Sequence, residues 1–334
     1  MASYESRRNV EVRFAQTHPP LPKESDPEEM HLAYKKQIWT PEQRAQFAQE
    51  AIASNERAVL DADRETSRQE LQTIQELLIA AQAFWSKLGV HEPVARADQF
   101  VPVQPSTIQA RVATTPELHD AYQAFVQNSH VYFPPYADEE KRLQVLSHEL
   151  SHLAAKQVLQ IESLEGKHEG VVLNSQAKFR QRREGNRFAA KALGDFWKLR
   201  DRGLEGYHEA VMELIACQVR HEWCDAKGIP ENSPIRESIT SITSLGPATR
   251  ILEAVMEEYI THHPGVQLHE LKNQVYLDAR NGTYLFIKRL HAWSPASIQP
   301  LAQMGTSYPS MRDAAYALVS DTLGDAIEEE GEKK

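Results

Sequence analysis

The first 40 residues mix Arg, Pro, Glu and Lys with no hydrophobic period, and the stretch THPPLPKESDPEE predicts a flexible lead-in. A helix start follows at Thr40-Pro41-Glu42-Gln43. Thr40 can cap, Pro41 suits the first helical position, and Gln43 completes a capping box. After Pro41 neither Pro nor Gly occurs until Gly89. Residues 41–90 are therefore predicted as a long helix, or two abutting ones, ending at Leu88-Gly89. The first half is polar and the second apolar, so one end packs. The other presents a solvated face or a surface for a protein partner.

From Phe100 the pattern changes to shorter elements. FVPV and TIQARVA read as strands, PELHDAYQAFVQ as a helix, and SHVYFPP as a strand ended by Pro134-Pro135. ADEEKRLQVLSHELSHLAAKQVLQ is the next strong helix, with Asp138, Glu139 and Glu140 in its first turn, where acids suit the dipole. Residues 161–202 are mixed, with a strand at GVVLN and a basic run, KFRQRREGNR. Helical texture returns from about Leu204 to Cys224. It continues through 231–327 in segments near 246–262, 266–280, 283–293 and 309–327, before an acidic tail at 328–334. The expected class is α+β, predominantly helical, with a small sheet beside the helix that contains residues 138–160. No internal repeat and no sustained heptad run is present.

Composition narrows the classes. The chain has 334 residues, 41% hydrophobic and 25% charged, as in globular proteins with a sizeable core. A net charge of −10 and a pI of about 5.8 argue against a nucleic-acid partner. Two cysteines, Cys217 and Cys224, supply no disulfide framework and suit a reducing compartment. The N-terminus lacks an apolar core of the secretory kind. The richest apolar run, LLIAAQAFW, is interrupted by Gln82 and is too short for a bilayer. A soluble, cytoplasmic protein without a membrane partner is expected.

The candidate chemistry lies at VLSHELSHLAA, residues 145–155. His148, Glu149 and His152 form H-E-x-x-H, the pattern that binds zinc through two histidines on one helix face. Residues four apart on a helix are neighbours. Leu143, Leu146, Leu150 and Leu153 form a stripe opposite the histidines, while Val145, Ala155 and Leu159 flank them, so the helix is expected to be buried on both sides. A third ligand two turns on is excluded, because position 155 is Ala and position 158 is Val. Downstream, GLEGYHEAVMELIACQV (203–219) places Glu209 and Glu213 one turn apart. A second candidate is REGNRFAAKAL (183–193), which contains Glu184.

The chain thus resembles the zincin metallopeptidases of the gluzincin sort, over roughly residues 128–220, with a zincin-like core at 91–230. Glu209 and Glu213 are similar to the N-E-x-x-x-D/E element of that group, with His208 in place of Asn and 57 residues separating Glu209 from His152. The segment around Glu184 is similar instead to the E-x-x-x-F-A-A helix of repressor-cleaving bacterial stress-response metallopeptidases. The resemblance implies Zn²⁺ on His148, His152 and Glu209, with Glu184 the competing third ligand. Water takes the fourth position, and Glu213 hydrogen-bonds a ligand histidine. It further implies peptide-bond hydrolysis of a peptide or protein substrate, with Glu149 as general base. Tyr207, His208, His262, His263, Tyr276, Tyr284 and His291 are open candidates for stabilising an oxyanion. A different class is a non-catalytic binding or regulatory module on the same scaffold, with a structural or inactive metal site and a partner held by the N-terminal helix.

Other patterns read more plainly. Cys217, His221 and Cys224 share a helical stripe and read as packing rather than as a second metal site. His262-His263-Pro264 reads as a helix end with histidines near the last carbonyls. The basic run reads as a solvated face.

Overall fold

The computed structural model describes residues 10–15, 61–113, 124–127, 129–155, 157–164, 167–174, 205–241, 246–281, 283, 285–294 and 300–301. These residues are mostly helical, with two small sheets, so the class is α+β and predominantly helical.

The first helix, α1, spans Arg68–Lys87. Ser67 caps it by accepting from the Glu70 amide, and the Glu70 carboxylate accepts from the Ser67 amide at 2.8 Å. Residues 61–67 are not helical, so the helix expected over 41–90 does not run through them. The reason is tertiary as well as local. Arg64 grips the Glu70 carboxylate and also donates to the carbonyls of Val103 and Phe133, which pins this stretch against a distant part of the chain. Residues 41–60, the proposed partner surface, lie outside the described residues.

Strands β2 (Phe100–Pro102), β3 (Phe125–Gln127) and β4 (His130–Phe133) form one sheet in the order β2-β4-β3. β2 runs parallel to β4, and β3 antiparallel to it. Two expectations fail around this sheet. TIQARVA is not a strand but part of helix α2 (Pro105–Ala113). Pro105 starts it, and Asp63 accepts from the Gln104 amide and the Thr107 hydroxyl, both at 2.6 Å. This cap, brought from 41 and 44 residues away in sequence, outweighs the β preference of Thr, Ile and Val. The end of the helix expected at PELHDAYQAFVQ is instead β3, where Phe125 stacks on Tyr132 across the strand pair at 4.8 Å. The part at 114–123 lies outside the described residues.

Helix α3 spans Glu139–Ala154, capped by Asp138, which accepts from the Glu140 amide. Leu143, Leu146, Leu150 and Leu153 are all buried, as the stripe predicts. The helix stops at Ala154, short of the expected 160. Gln157–Leu164 is strand β5, paired in parallel with β1 (Val10–Ala15) and antiparallel with β6 (Lys167–Asn174). The lead-in expected to be flexible over 1–40 therefore contains a strand. Its alternation of Val10, Val12 and Phe14 with Glu11 and Arg13 is the period-two pattern of one.

Helix α4 (Glu205–Ala226) follows, then α5 (Pro234–Thr240), α6 (Gly246–His262), α7 (Leu268–Asn281) and α8 (Leu285–Trp293). The last three match the segments expected near 246–262, 266–280 and 283–293. The segment at 309–327 and the tail at 328–334 lie outside the described residues. α4 is the central helix. It packs against α1, α3 and α6, and buries Tyr207, Val211, Met212, Ile215 and Val219 on more than one side. A single apolar cluster joins α1, α3, α4, α6, α7 and α8. No helix among the described residues is long and apolar enough to cross a membrane.

Leu150 is fully buried between the two halves of the H-E-x-x-H pattern. Leu150→Ala is expected to lower unfolding free energy by about 2–5 kcal/mol. Urea denaturation of the two proteins measures it, and a midpoint equal to wild type would contradict the packing described.

Candidate metal centre

Helices α3 and α4 bring three side chains to one point. His148 and His152 lie one turn apart on α3, with ring centroids 4.9 Å apart. Their Nε2 atoms are 3.2 Å apart. Glu209, near the start of α4, places Oε2 at 3.2 Å from His148 Nε2 and 3.4 Å from His152 Nε2. Among the described residues this is the group of His, Cys, Asp or Glu donors close enough together to hold a metal. The triangle has the right size. In a tetrahedral site the ligand–ligand edge is about 1.6 times the bond, so zinc bonds of about 2.0–2.1 Å need edges of about 3.3 Å.

Behind the triangle stands a second row, also from α4. The Glu213 carboxylate lies 2.9 Å from His148 Nδ1. His208 Nε2 lies 3.1 Å from His152 Nδ1. With protons on both Nδ1 atoms, Glu213 and His208 accept them, and both Nε2 lone pairs are left facing the metal position. Glu213 is held in turn by Arg220, whose Nη2 donates to Oε1 at 2.8 Å. Glu209, Glu213 and Arg220 reach the site together because offsets of four and seven return to one face of a helix, and His208 lies at the edge of that face beside Glu209.

Exposure separates the two rows. The side chains of His148, His152 and Glu209 keep 14%, 11% and 22% of their surface open, whereas Glu213 and Arg220 keep none. The donor triangle is reachable, and its support is sealed. The charges follow from this placement. Burial disfavours the Glu209 carboxylate, but the His152 charge and hydrogen bonds from both histidines outweigh it and hold the carboxyl well below its ordinary value. Burial likewise opposes charge on His148, yet its bonds to Glu209 and Glu213 raise it. Glu213 is lowered, again against burial, by His148 and Arg220.

Glu149 is different. It is buried beside the triangle, and burial pushes its carboxyl up, only partly countered by the charges of His152 and His148. Its carboxylate has no hydrogen-bond partner among the described residues. A carboxylate without a hydrogen bond from the described residues, next to a metal-sized donor triangle, is able to take up a proton.

The remaining sequence candidates divide cleanly. Glu184 lies outside the described residues. Tyr207 is packed in the core, and Tyr276 is buried with its ring 5.5 Å from Phe84. His262 and His263 bond the carbonyls of Glu258 and Tyr259 at the end of α6, as their position predicts. Tyr284 and the His291 side chain lie outside what is described. Of the described candidates, Tyr207, Tyr276, His262 and His263 are not part of the triangle, and His208 meets it through His152. Cys217 donates to the Thr240 carbonyl and Cys224 is buried, so their stripe is packing.

Two residues near the centre have no part in the motif reading. Arg220 is one; its signal in sequence is the seven-residue offset from Glu213. Tyr136 is the other. It lies just before α3, and burial, followed by the Glu149 charge, raises its phenol. No family model matches the chain, and no significant match to it is found among curated proteins or solved structures.

Proposed function

We propose that this protein is a zinc-dependent peptidase of the gluzincin sort, with a zincin-like core built around α3 and α4, acting on peptide or protein substrates in the cytoplasm. The observation that carries the reading is the His148–His152–Glu209 triangle, of tetrahedral edge length, with each histidine backed by its own acceptor. Two imidazole nitrogens and one carboxylate oxygen form a donor set suited to zinc. When bound, zinc makes water acidic and polarises a carbonyl.

The chain's own groups carry the proton. Glu149 accepts one from the attacking water as the oxygen adds to the carbonyl carbon. It then delivers that proton to the departing amine nitrogen as the C–N bond breaks. Burial of Glu149 favours its protonated form, which makes the uptake of the water proton easier. His208 and Glu213 keep the ligand rings in place throughout. The open side of the triangle is where a peptide carbonyl enters.

The test is direct. Zinc-loaded protein is incubated with a mixture of unstructured peptides, and new termini are read by mass spectrometry. Cleavage is expected that stops with a zinc chelator and returns when zinc is restored. Stoichiometric zinc with no cleavage of any peptide would assign the centre to a structural or regulatory role instead.

A further inference from the structure

Arg220, like Glu213, is a charged residue near the metal centre with no exposed side-chain surface. Its guanidinium reaches three elements. Nη2 donates to Glu213 Oε1 at 2.8 Å and to the Ser241 carbonyl at 3.2 Å, while Nη1 donates to Ser147 Oγ at 2.9 Å. Ser147 immediately precedes His148, and its hydroxyl donates onward to the Gln144 carbonyl at 3.0 Å. One planar fork therefore holds the acceptor of His148 and the backbone turn from which His148 projects.

A bland role, simple stabilisation of the helix pair, fits this geometry poorly. Removing Arg and Glu side chains from water costs several kcal/mol each, and a buried pair often does no better than apolar residues of the same size. Arg220 Nε has no acceptor among the described residues, which adds a further cost. Glu213 also divides its oxygens. Oε1 takes Arg220 and Oε2 takes His148 Nδ1, so the arginine fixes the carboxylate plane that the histidine meets. A rigid planar fork that reaches Glu213 and Ser147 at once suits such orientation, and a lysine lacks that geometry.

We infer that Arg220 is a positioning residue of the metal centre: through Glu213 and Ser147 it fixes the ring of His148 so that Nε2 faces the metal. The inference rests on the proposed zinc site. It places a two-step chain, Arg220 to Glu213 to His148, at one ligand. The other ligand, His152, meets a different residue, His208, at 3.1 Å. The two ligand histidines are thus supported unequally, and loss of Arg220 acts on His148 alone.

A double-mutant cycle on zinc affinity tests this, using zinc alone in competition with a chromophoric chelator. The full chain is compared with Arg220→Met, Glu213→Gln and the double variant, and thermal unfolding of the metal-free forms is recorded in parallel. Arg220→Met is expected to weaken zinc binding by about 10- to 100-fold, the range for loss of a supporting partner. In the Glu213→Gln background the same change is expected to alter affinity by less than about threefold, because the group it orients is already changed. If Arg220→Met does not fold, Arg220→Lys takes its place in both backgrounds with the same pattern expected. Equal losses in the two backgrounds, or unchanged affinity in both beside a lowered unfolding temperature, overturn the positioning role and leave the zinc site standing. No zinc binding by the unaltered chain overturns the site itself, and this role with it.

Discussion

Purified protein is expected to bind one zinc ion, and His148→Ala or Glu209→Gln is expected to weaken that binding by more than about 100-fold. That figure is the upper end for loss of a supporting partner, and a donor atom contributes more than its support does. The geometry sets the expectation. Each of the three atoms lies within 3.2–3.4 Å of the other two, so removal of any one opens a whole face of the site. Glu209→Gln removes the one formal negative charge that the triangle offers the cation. His148→Ala also leaves Glu213 without its imidazole partner. Zinc at about 1,000 times its dissociation constant is expected to stabilise the unaltered protein by about 4 kcal/mol. Neither variant gains this. His262→Ala is the control, because His262 bonds the last turn of its own helix and is not one of the donor groups. Metal analysis with thermal unfolding in and out of zinc checks all four proteins. A zinc content unchanged by His148→Ala would remove the site.

The second large effect separates binding from chemistry. Glu149→Gln is expected to retain zinc and to lose peptide hydrolysis by about 10²–10⁴-fold, the usual contribution of a positioned general base. Glu149 is not among the three donor groups, so the amide leaves the triangle intact. Its carboxylate is buried without a hydrogen-bond partner among the described residues, a placement that costs stability when it is ionised. The metal-free Glu149→Gln protein is therefore expected to unfold at or above the wild-type temperature. A group that lowers stability where it stands and is essential to turnover has the pattern expected of an active-site residue. Peptide turnover within tenfold of wild type in the zinc-loaded variant would remove Glu149 from its role.

Much of this centre is legible in the chain, for a local reason. The face shared by His148 and His152 depends on five consecutive residues, a capping aspartate and a leucine stripe, all at one helix. The pairing of Glu209 with Glu213 depends likewise on one turn of α4. The three later helices, α6 to α8, follow from period alone. The failures have the opposite character. TIQARVA carries β-branched residues, yet a cap from Asp63 makes it helical. The end of the helix expected to reach residue 160 becomes a strand because β1 and β6 flank it. The helix expected to run on to Leu88 is interrupted over 61–67, where Arg64 ties the chain to Val103 and Phe133.

The amino-acid sequence by itself determined the two histidines, the carboxylate between them, and the helices that carry them, because those patterns are decided by neighbours within about one turn. Only the tertiary structure decided that Glu209 reaches both Nε2 atoms, that His208 and Glu213 stand behind different histidines, and that Arg220 closes the chain of contacts onto Ser147. Those meetings join residues 56 to 73 positions apart. They are set by how α3 and α4 pack within the common apolar core, and no local spacing encodes the approach of one helix to another.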